Sequence, residues 1–155
     1  PAAIIAKMNA LLEPQVIAAL YAASQAGVKI DLIIRGVCAL RPGIPGLSDK
    51  IKVRSVVGRL LEHTRIFYFK NDGEELIYLS SADWMDRNFF RRIETGFPVL
   101  NPKLKKRVIT EGLKPYLRDN VQAWEMQPDG SYRRRKPRRA KVYSAQRVLL
   151  NLLTK

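Results

Sequence analysis

The first thirty-six residues hold the pattern that most limits the fold. Residues 3–7, AIIAK, form a short apolar run, and residues 28–36, VKIDLIIRG, form a second. Between them Glu13-Pro14 opens a helix, with proline at its favoured first-turn position. Val16, Ile17, Leu20 and Ala23 keep a helical period up to Gln25-Ala26, and Gly27 fits the stop position. Strand, helix and strand within about 35 residues make a βαβ unit, so the strands should be parallel and the crossover right-handed. In such sheets ligands bind beyond the carboxyl ends of the strands. Lys7 and Arg35 stand at those ends, which is a geometric reason for both to face an anion. The alternative, charges that merely solubilise strand ends, reads Lys7 equally well but Arg35 less well.

The rest of the chain is read by the same periods. Residues 36–49, GVCALRPGIPGLSD, carry three Gly and two Pro and form a loop of defined shape. Its Arg41 could join Arg35, because glycines let backbone N–H groups approach a phosphate closely. The loop has neither the GKS/GKT of a P-loop nor GxGxxG. In residues 51–58, IKVRSVVG, Ile51, Val53, Ser55 and Val57 alternate as one strand face. GRLLEH reads as a short helical turn, and RIFYF, 65–69, as a strand rich in β-branched and aromatic residues. Asn71-Asp72-Gly73 predicts a hairpin between 65–69 and 75–81. Residues 81–94, SADWMDRNFFRRIE, interleave Trp84, Phe89 and Phe90 with Arg87, Arg91 and Arg92. Single-strand nucleic-acid binders use such mixtures, but the favoured reading is a loop with its aromatics in the core and its arginines wet. ETGFPVL, 94–100, is one more strand. NPKLKKRVITEGLKPYLRD, 101–119, predicts a helix with Leu104, Val108, Ile109, Leu113 and Leu117 on one side and solvated lysines opposite. VQAWEM and SYRRRKPRR flank Pro128-Asp129-Gly130 as a second hairpin, and residues 133–139 contain six Arg/Lys in seven. SAQRVLLNLLTK closes the chain as an amphipathic helix with Ser144 as its N-cap. With no repeat, low-complexity tract or linker, residues 1–155 are expected to form a single α/β domain. A chain that opens on Pro1 and runs straight into an apolar strand is expected to be a piece of a longer protein.

Composition narrows the chemistry. Lys plus Arg total 28 against 14 Asp plus Glu, a net charge of +14, which calls for a polyanionic partner: nucleic acid, an acidic membrane surface or a phosphate-rich substrate. No apolar run approaches the roughly 18 residues needed to span a bilayer. One cysteine, Cys38, excludes an internal disulfide and suggests a reducing, cytoplasmic setting, with peripheral membrane association as an alternative. One histidine and scattered carboxylates give metal catalysis poor support. There is no GxSxG elbow and no evident carboxylate pair for glycoside hydrolysis. Phosphoryl chemistry remains, centred on residues 54–69, RSVVGRLLEHTRIFYF, where Arg54, Arg59, His63 and Arg65 sit between two apolar runs. A histidine can accept a phosphoryl group or protonate a leaving phosphate oxygen. Arginines stay charged and grip phosphate with a planar fork. On residue types alone, a functional His63 and a satisfied or surface His63 are equally good readings.

Three motifs then carry a resemblance. RGxCxLRPG (Arg35, Gly36, Cys38, Leu40 to Gly43), GRxLEHxRI (Gly58, Arg59, Leu61 to His63, Arg65, Ile66) and SADWMxRN (Ser81 to Met85, Arg87, Asn88) occur in order between about residues 5 and 100. The chain resembles the C-terminal catalytic segment of bacterial polyphosphate kinase. The resemblance implies a phospholipase D-like domain, with a mixed, mainly parallel sheet flanked by helices. It implies an enzyme moving the terminal phosphate of ATP reversibly onto polyphosphate through a phosphohistidine. Two such domains face each other in the family, and the phosphorylated histidine belongs to the first. No second histidine exists here, so this chain resembles the second domain. Carried over by motif, Arg35 and His63 are its ATP-phosphate contacts, with His63 assisting transfer. Lys7, Arg41, Arg59 and Arg65 are weaker phosphate candidates. The resemblance also implies Mg²⁺ with ligands outside this chain, contact with preceding domains, and a homo-oligomer. Of the superfamily pattern H-x-K-x4-D and G-S-x-N, His63-Thr64-Arg65 puts Arg in the Lys place and Lys70 stands for Asp. Ser80 to Asp83 follows the second part only loosely. These departures speak against a phosphodiesterase, the weakest rival; a basic nucleic-acid-binding module is the stronger alternative.

Overall fold

The computed structural model describes residues 2–137 and 139–154; Pro1, Lys155 and Arg138 of the basic run lie outside them. Among the described residues eight strands form one sheet in the order β6-β5-β4-β1-β2-β3-β7-β8. The βαβ unit opens it: β1 (Ala3–Met8), α1 (Pro14–Gln25) and β2 (Lys29–Ile34). β1 and β2 pair in parallel, Ala3 opposite Lys29 and Met8 opposite Ile34. Glu13 caps α1 by accepting from Val16 N (2.7 Å), and Gly27 ends it at φ +89°. β3 (Ile51–Val56) continues the parallel centre beside β2.

The sheet is mixed but not mainly parallel. Only β1–β2 and β2–β3 are parallel; the other five pairings are antiparallel. The reason is the hairpins, which extend both edges. β4 (Arg65–Asn71) and β5 (Glu74–Ser80) meet through Asp72 and Gly73, both at positive φ as a two-residue hairpin turn requires. The short β6 (Gly96–Pro98) completes that edge. On the other side β7 (Ala123–Met126) pairs with β3, and β8 (Tyr132–Arg134) closes the sheet.

Two apolar clusters cover the two faces. One joins Leu20 of α1 to Leu11, Leu32, Leu40, Val53, Phe67 and Trp84. The other joins Ile33, Ile66 and Ile77 to Leu113, Tyr116 and Ala145. The segment 101–119 is not one helix. α3 (Pro102–Arg107) passes into a π-helical turn, Val108–Leu113, and then α4 (Lys114–Arg118). Pro115 has no N–H to give the preceding turn, and its ring would clash there, so the chain widens before it. Gly112 fits because it lies against β4, where a Cβ would stand 2.4 Å from Ile66 Cδ1. α2 (Asp86–Phe90) is short, and it leaves Phe89 and Phe90 exposed, contrary to the expected burial; of its segment's aromatics only Trp84 enters the core, stacked on Phe67 at 4.9 Å. α5 (Ala145–Leu153) closes the chain.

Candidate active site

β3 and β4 are consecutive in the chain but three places apart in the sheet. Residues 57–64 must therefore cross the carboxyl ends of β2 and β1, and that path delivers His63 to the end of the sheet where ligands bind. The crossing is irregular, with a bend at Arg59 and Leu60, not the expected helical turn. Side chains take the groups a turn would have used. Gln146 of α5 accepts from Leu60 N (3.0 Å) and donates to Leu60 O (2.7 Å) and Glu62 Oε1 (2.9 Å). Gly58 lets the chain pass, since a Cβ there would lie 2.5 Å from Gln146 Oε1.

Arg65, the first residue of β4, makes a fork to Asp83, with Nε to Oδ1 at 3.2 Å and Nη2 to Oδ2 at 3.1 Å. Asp83 is 5% exposed. Burial alone would raise its pKa, but Arg65 and the Asn9 backbone N–H, 2.7 Å away, hold the carboxyl below its ordinary value. Asn9 also donates Nδ2 to Asp83 (3.2 Å), while its Oδ1 accepts from Arg35 Nε (3.0 Å). The two half-buried arginines are thus tied through one Asn–Asp pair. At the other end of the chain of contacts Arg65 Nη1 donates to His63 Nδ1 (3.2 Å) and to the His63 carbonyl (3.1 Å). Guanidinium nitrogens only donate, so Nδ1 accepts and the ring proton sits on Nε2. The exposed imidazole, held by Arg65, can donate Nε2–H to a phosphate oxygen and stabilise charge that develops on it.

The other predicted cations divide. Lys7 is 3% exposed and belongs to the interior. It pairs with Glu62 Oε2 (2.9 Å), donates to Thr64 Oγ1 and lies 4.2 Å from the centre of the Tyr116 ring. Burial lowers its pKa and Glu62 offsets this; Glu62 in turn, against the cost of its own burial, is held below its ordinary value by Lys7, Gln146 and Tyr116. Arg59 is exposed and shares a concavity of about 320 Å³ with Arg35. Arg41 does not join Arg35. Its loop runs back to start a parallel strand, so Arg41 reaches the opposite end of the sheet and donates to the Pro128 carbonyl (3.0 Å) in the β7–β8 turn. Arg54 also leaves the cluster, buried between Asp31 (3.0 Å) and the Leu117 carbonyl (2.6 Å).

Lys70, in the place where the phospholipase D pattern has Asp, pairs with Ala3 at the far end of β4. It stands about 17 Å along the strand from Arg65. The carboxylate beside His63-Thr64-Arg65 comes instead from Asp83. Asn9, Asp83 and Gln146 were not singled out from the sequence. The signals for Asp83 are its places in SADWM and in the loose G-S-x-N match of Ser80 to Asp83; Asn9 and Gln146 carry none, because both act through nonlocal contacts. Among the described residues no three His, Cys, Asp or Glu side chains gather to hold a metal ion. On one side His63 and Arg65 border an open, largely apolar groove of about 750 Å³ walled by Phe97, Leu104 and Leu149.

The family model for the polyphosphate kinase C-terminal domain 2 matches residues 1–146. The polyphosphate kinase of Burkholderia multivorans is 70% identical over 135 residues, which are 87% of this chain and 20% of that protein. That of Paraburkholderia phytofirmans is 69% identical over 136 residues, 88% of this chain and 20% of its own. The chain thus spans about a fifth of the length of the curated relatives it matches. The crystal structure of polyphosphate kinase from Porphyromonas gingivalis superposes with a TM-score of 0.94 at 42% identity, covering 99% of this chain and 23% of that one. Nuc from Salmonella typhimurium, a phospholipase D family member, superposes with a TM-score of 0.59 at 16% identity over 81% of this chain and 82% of that one. This second likeness is one of fold.

Proposed function

The chain belongs to the polyphosphate kinase C-terminal domain 2 family, and from that premise we propose that it supplies one wall of an ATP:polyphosphate phosphotransferase site, as one domain of a longer polypeptide. In the first step the bond from the γ-phosphorus to the β-phosphate oxygen of ATP breaks, and a P–N bond forms to a histidine on a preceding domain. In the second the P–N bond breaks and the phosphoryl group joins the terminal oxygen of polyphosphate. Both steps are reversible. His63 does not take the phosphoryl group; its Nε2–H donates to the oxygen on which charge grows. Arg35 clamps phosphate oxygens, Arg65 fixes the tautomer of His63, and Arg59 adds an exposed cation beside Arg35. Lys7 supports the crossing loop from below, which is a weaker role than direct phosphate contact. Mg²⁺ bound to the nucleotide phosphates would neutralise part of their charge, with its protein ligands expected outside this chain. The isolated chain is inactive, and the whole enzyme is a homo-oligomer working where ATP is supplied, in the cytoplasm. No helix among the described residues is long and apolar enough to cross a membrane.

The observation that carries this reading is the unbroken set of contacts Arg35–Asn9–Asp83–Arg65–His63, which holds two cations and a single-tautomer imidazole at the ligand-binding end of the sheet. In the full-length enzyme His63→Ala is expected to cut ATP-dependent polyphosphate synthesis at least about tenfold, a modest demand for loss of a proton-transfer group. Near-normal turnover by that variant would sink the assignment.

A further inference from the structure

The basic stretch after β8 has no part in the contacts around His63, yet the topology sets it at the same end of the sheet. Ser55 Oγ donates to the Arg35 carbonyl (2.9 Å), Val56 stands opposite Ala123, and Arg135 N donates to the Ala123 carbonyl (2.8 Å). Arg35, Val56, Ala123 and Arg135 therefore form one row across β2, β3, β7 and β8. From β4 to β8 the row covers five strand spacings, about 24 Å. Arg59 lies between, on the crossing loop.

At the end of the row Arg133, Arg134, Arg135, Lys136 and Arg139 line a concavity of about 750 Å³. Two of these are held by backbone carbonyls: Arg134 Nε donates to Val121 (3.0 Å), and Arg135 Nη1 to Leu117 (3.3 Å) and Asp119 (3.4 Å). Among the described residues Arg133, Lys136 and Arg139 form no ion pair. The one carboxylate in the lining, Glu125, is 3.8 Å from Arg135 and half-exposed. No aromatic ring lines the concavity itself; the exposed Trp124, which pairs with Arg134, and Tyr132 stand on the same two strands, β7 and β8. A lining of fixed and free cations with no ring among them suits a polyanion made of phosphate alone.

We propose that the concavity beside β8 is a second polyphosphate-binding site, which holds the chain some five strands away from the transfer site. This rests on the phosphotransferase reading above and adds to it a place for the distal part of a long chain. A short phosphate oligomer would reach the transfer site without engaging β8; a long one would engage both, gaining affinity through a second contact on the same molecule.

The test uses the full-length enzyme and a triple variant, Arg133→Ser, Lys136→Ser, Arg139→Ser. With long-chain polyphosphate the KM should rise at least about fivefold, and the slope of log affinity against log salt should fall by about 2, the counterion release of three lost phosphate contacts. Turnover on tripolyphosphate and the KM for nucleotide should stay unchanged, which also reports correct folding. A companion variant keeping the charge, Arg133→Lys with Arg139→Lys, should behave as wild type. Unchanged long-chain KM and salt slope in the triple variant, or an equal loss on tripolyphosphate, would overturn the second site while leaving the phosphotransferase reading intact. A wild type inert toward every polyphosphate would overturn both. Binding of DNA or RNA that the triple variant loses and polyphosphate fails to displace would assign the concavity to nucleic acid instead.

Discussion

Asp83 is charged where almost no water reaches it, and its neighbours explain why. Arg65 meets both carboxylate oxygens, and Asn9 adds a backbone and a side-chain donor. Truncation to Asp83→Ala leaves Arg65 half-buried without its counter-charge, and a stability loss of about 3–5 kcal/mol is expected in denaturant unfolding at neutral pH. The acid limb follows from the lowered pKa. A carboxyl depressed in the folded state stabilises above its unfolded value near 3.8, and this contribution is lost as pH falls through the lower folded value. Wild type should therefore lose stability steeply below about pH 4, and Asp83→Asn should show a shallower acid limb from a lower starting point. Equal limbs in the two proteins would contradict the assignment. Because His63 takes its tautomer from Arg65, the same substitution should lower kcat in the full-length enzyme more than it raises the KM for nucleotide.

At the scale of elements, α5 does two jobs that its own sequence does not announce. Ser144 is the N-cap residue, as expected, but its hydroxyl donates to Gln122 Oε1 (3.0 Å), and the Ala145 N–H is met by Asp119 Oδ2 (2.8 Å). Asp119 reaches across because its other oxygen already accepts from Val121, Gln122 and Ala123 at 2.7–3.1 Å, knitting α4 to β7. Gln146 then pins the crossing loop. In Gln146→Ala the Leu60 N–H loses its acceptor, so its hydrogen exchange should quicken at least tenfold, with about 1–3 kcal/mol of stability lost. Unaltered exchange at Leu60 would mean that the loop is held by something else.

Local pattern made the βαβ unit and both hairpins legible, since periodicity, Pro14, Gly27, Asp72-Gly73 and Pro128-Asp129-Gly130 act within a few residues. The π turn was foreshadowed by Gly112 and Pro115 but hidden under a continuous apolar stripe. Phe89 and Phe90 stay exposed where burial is expected, because composition does not determine which face of a five-residue helix finds a neighbour. His63, Arg35 and Arg65 stood in motifs; what brings them together, Asn9 and Asp83, are 74 residues apart and pair only once the sheet exists.

For the whole molecule, part of the net charge of +14 lies along one edge of the sheet. Arg65, Arg35, Arg59 and the stretch after β8 follow the carboxyl edge of the sheet, while Lys7 and Arg54 are buried and paired. An edge of that kind suits a long polyanion, and it contains one imidazole. Whether that imidazole ever carries a phosphoryl group tests the division of labour proposed between this chain and the rest of a longer enzyme. The direct measurement is to incubate full-length enzyme with ATP labelled in its γ-phosphate and map the phosphohistidine after digestion under alkaline conditions. The label is predicted on a histidine outside residues 1–155 and absent from His63; a stable label on His63 would contradict the division proposed here.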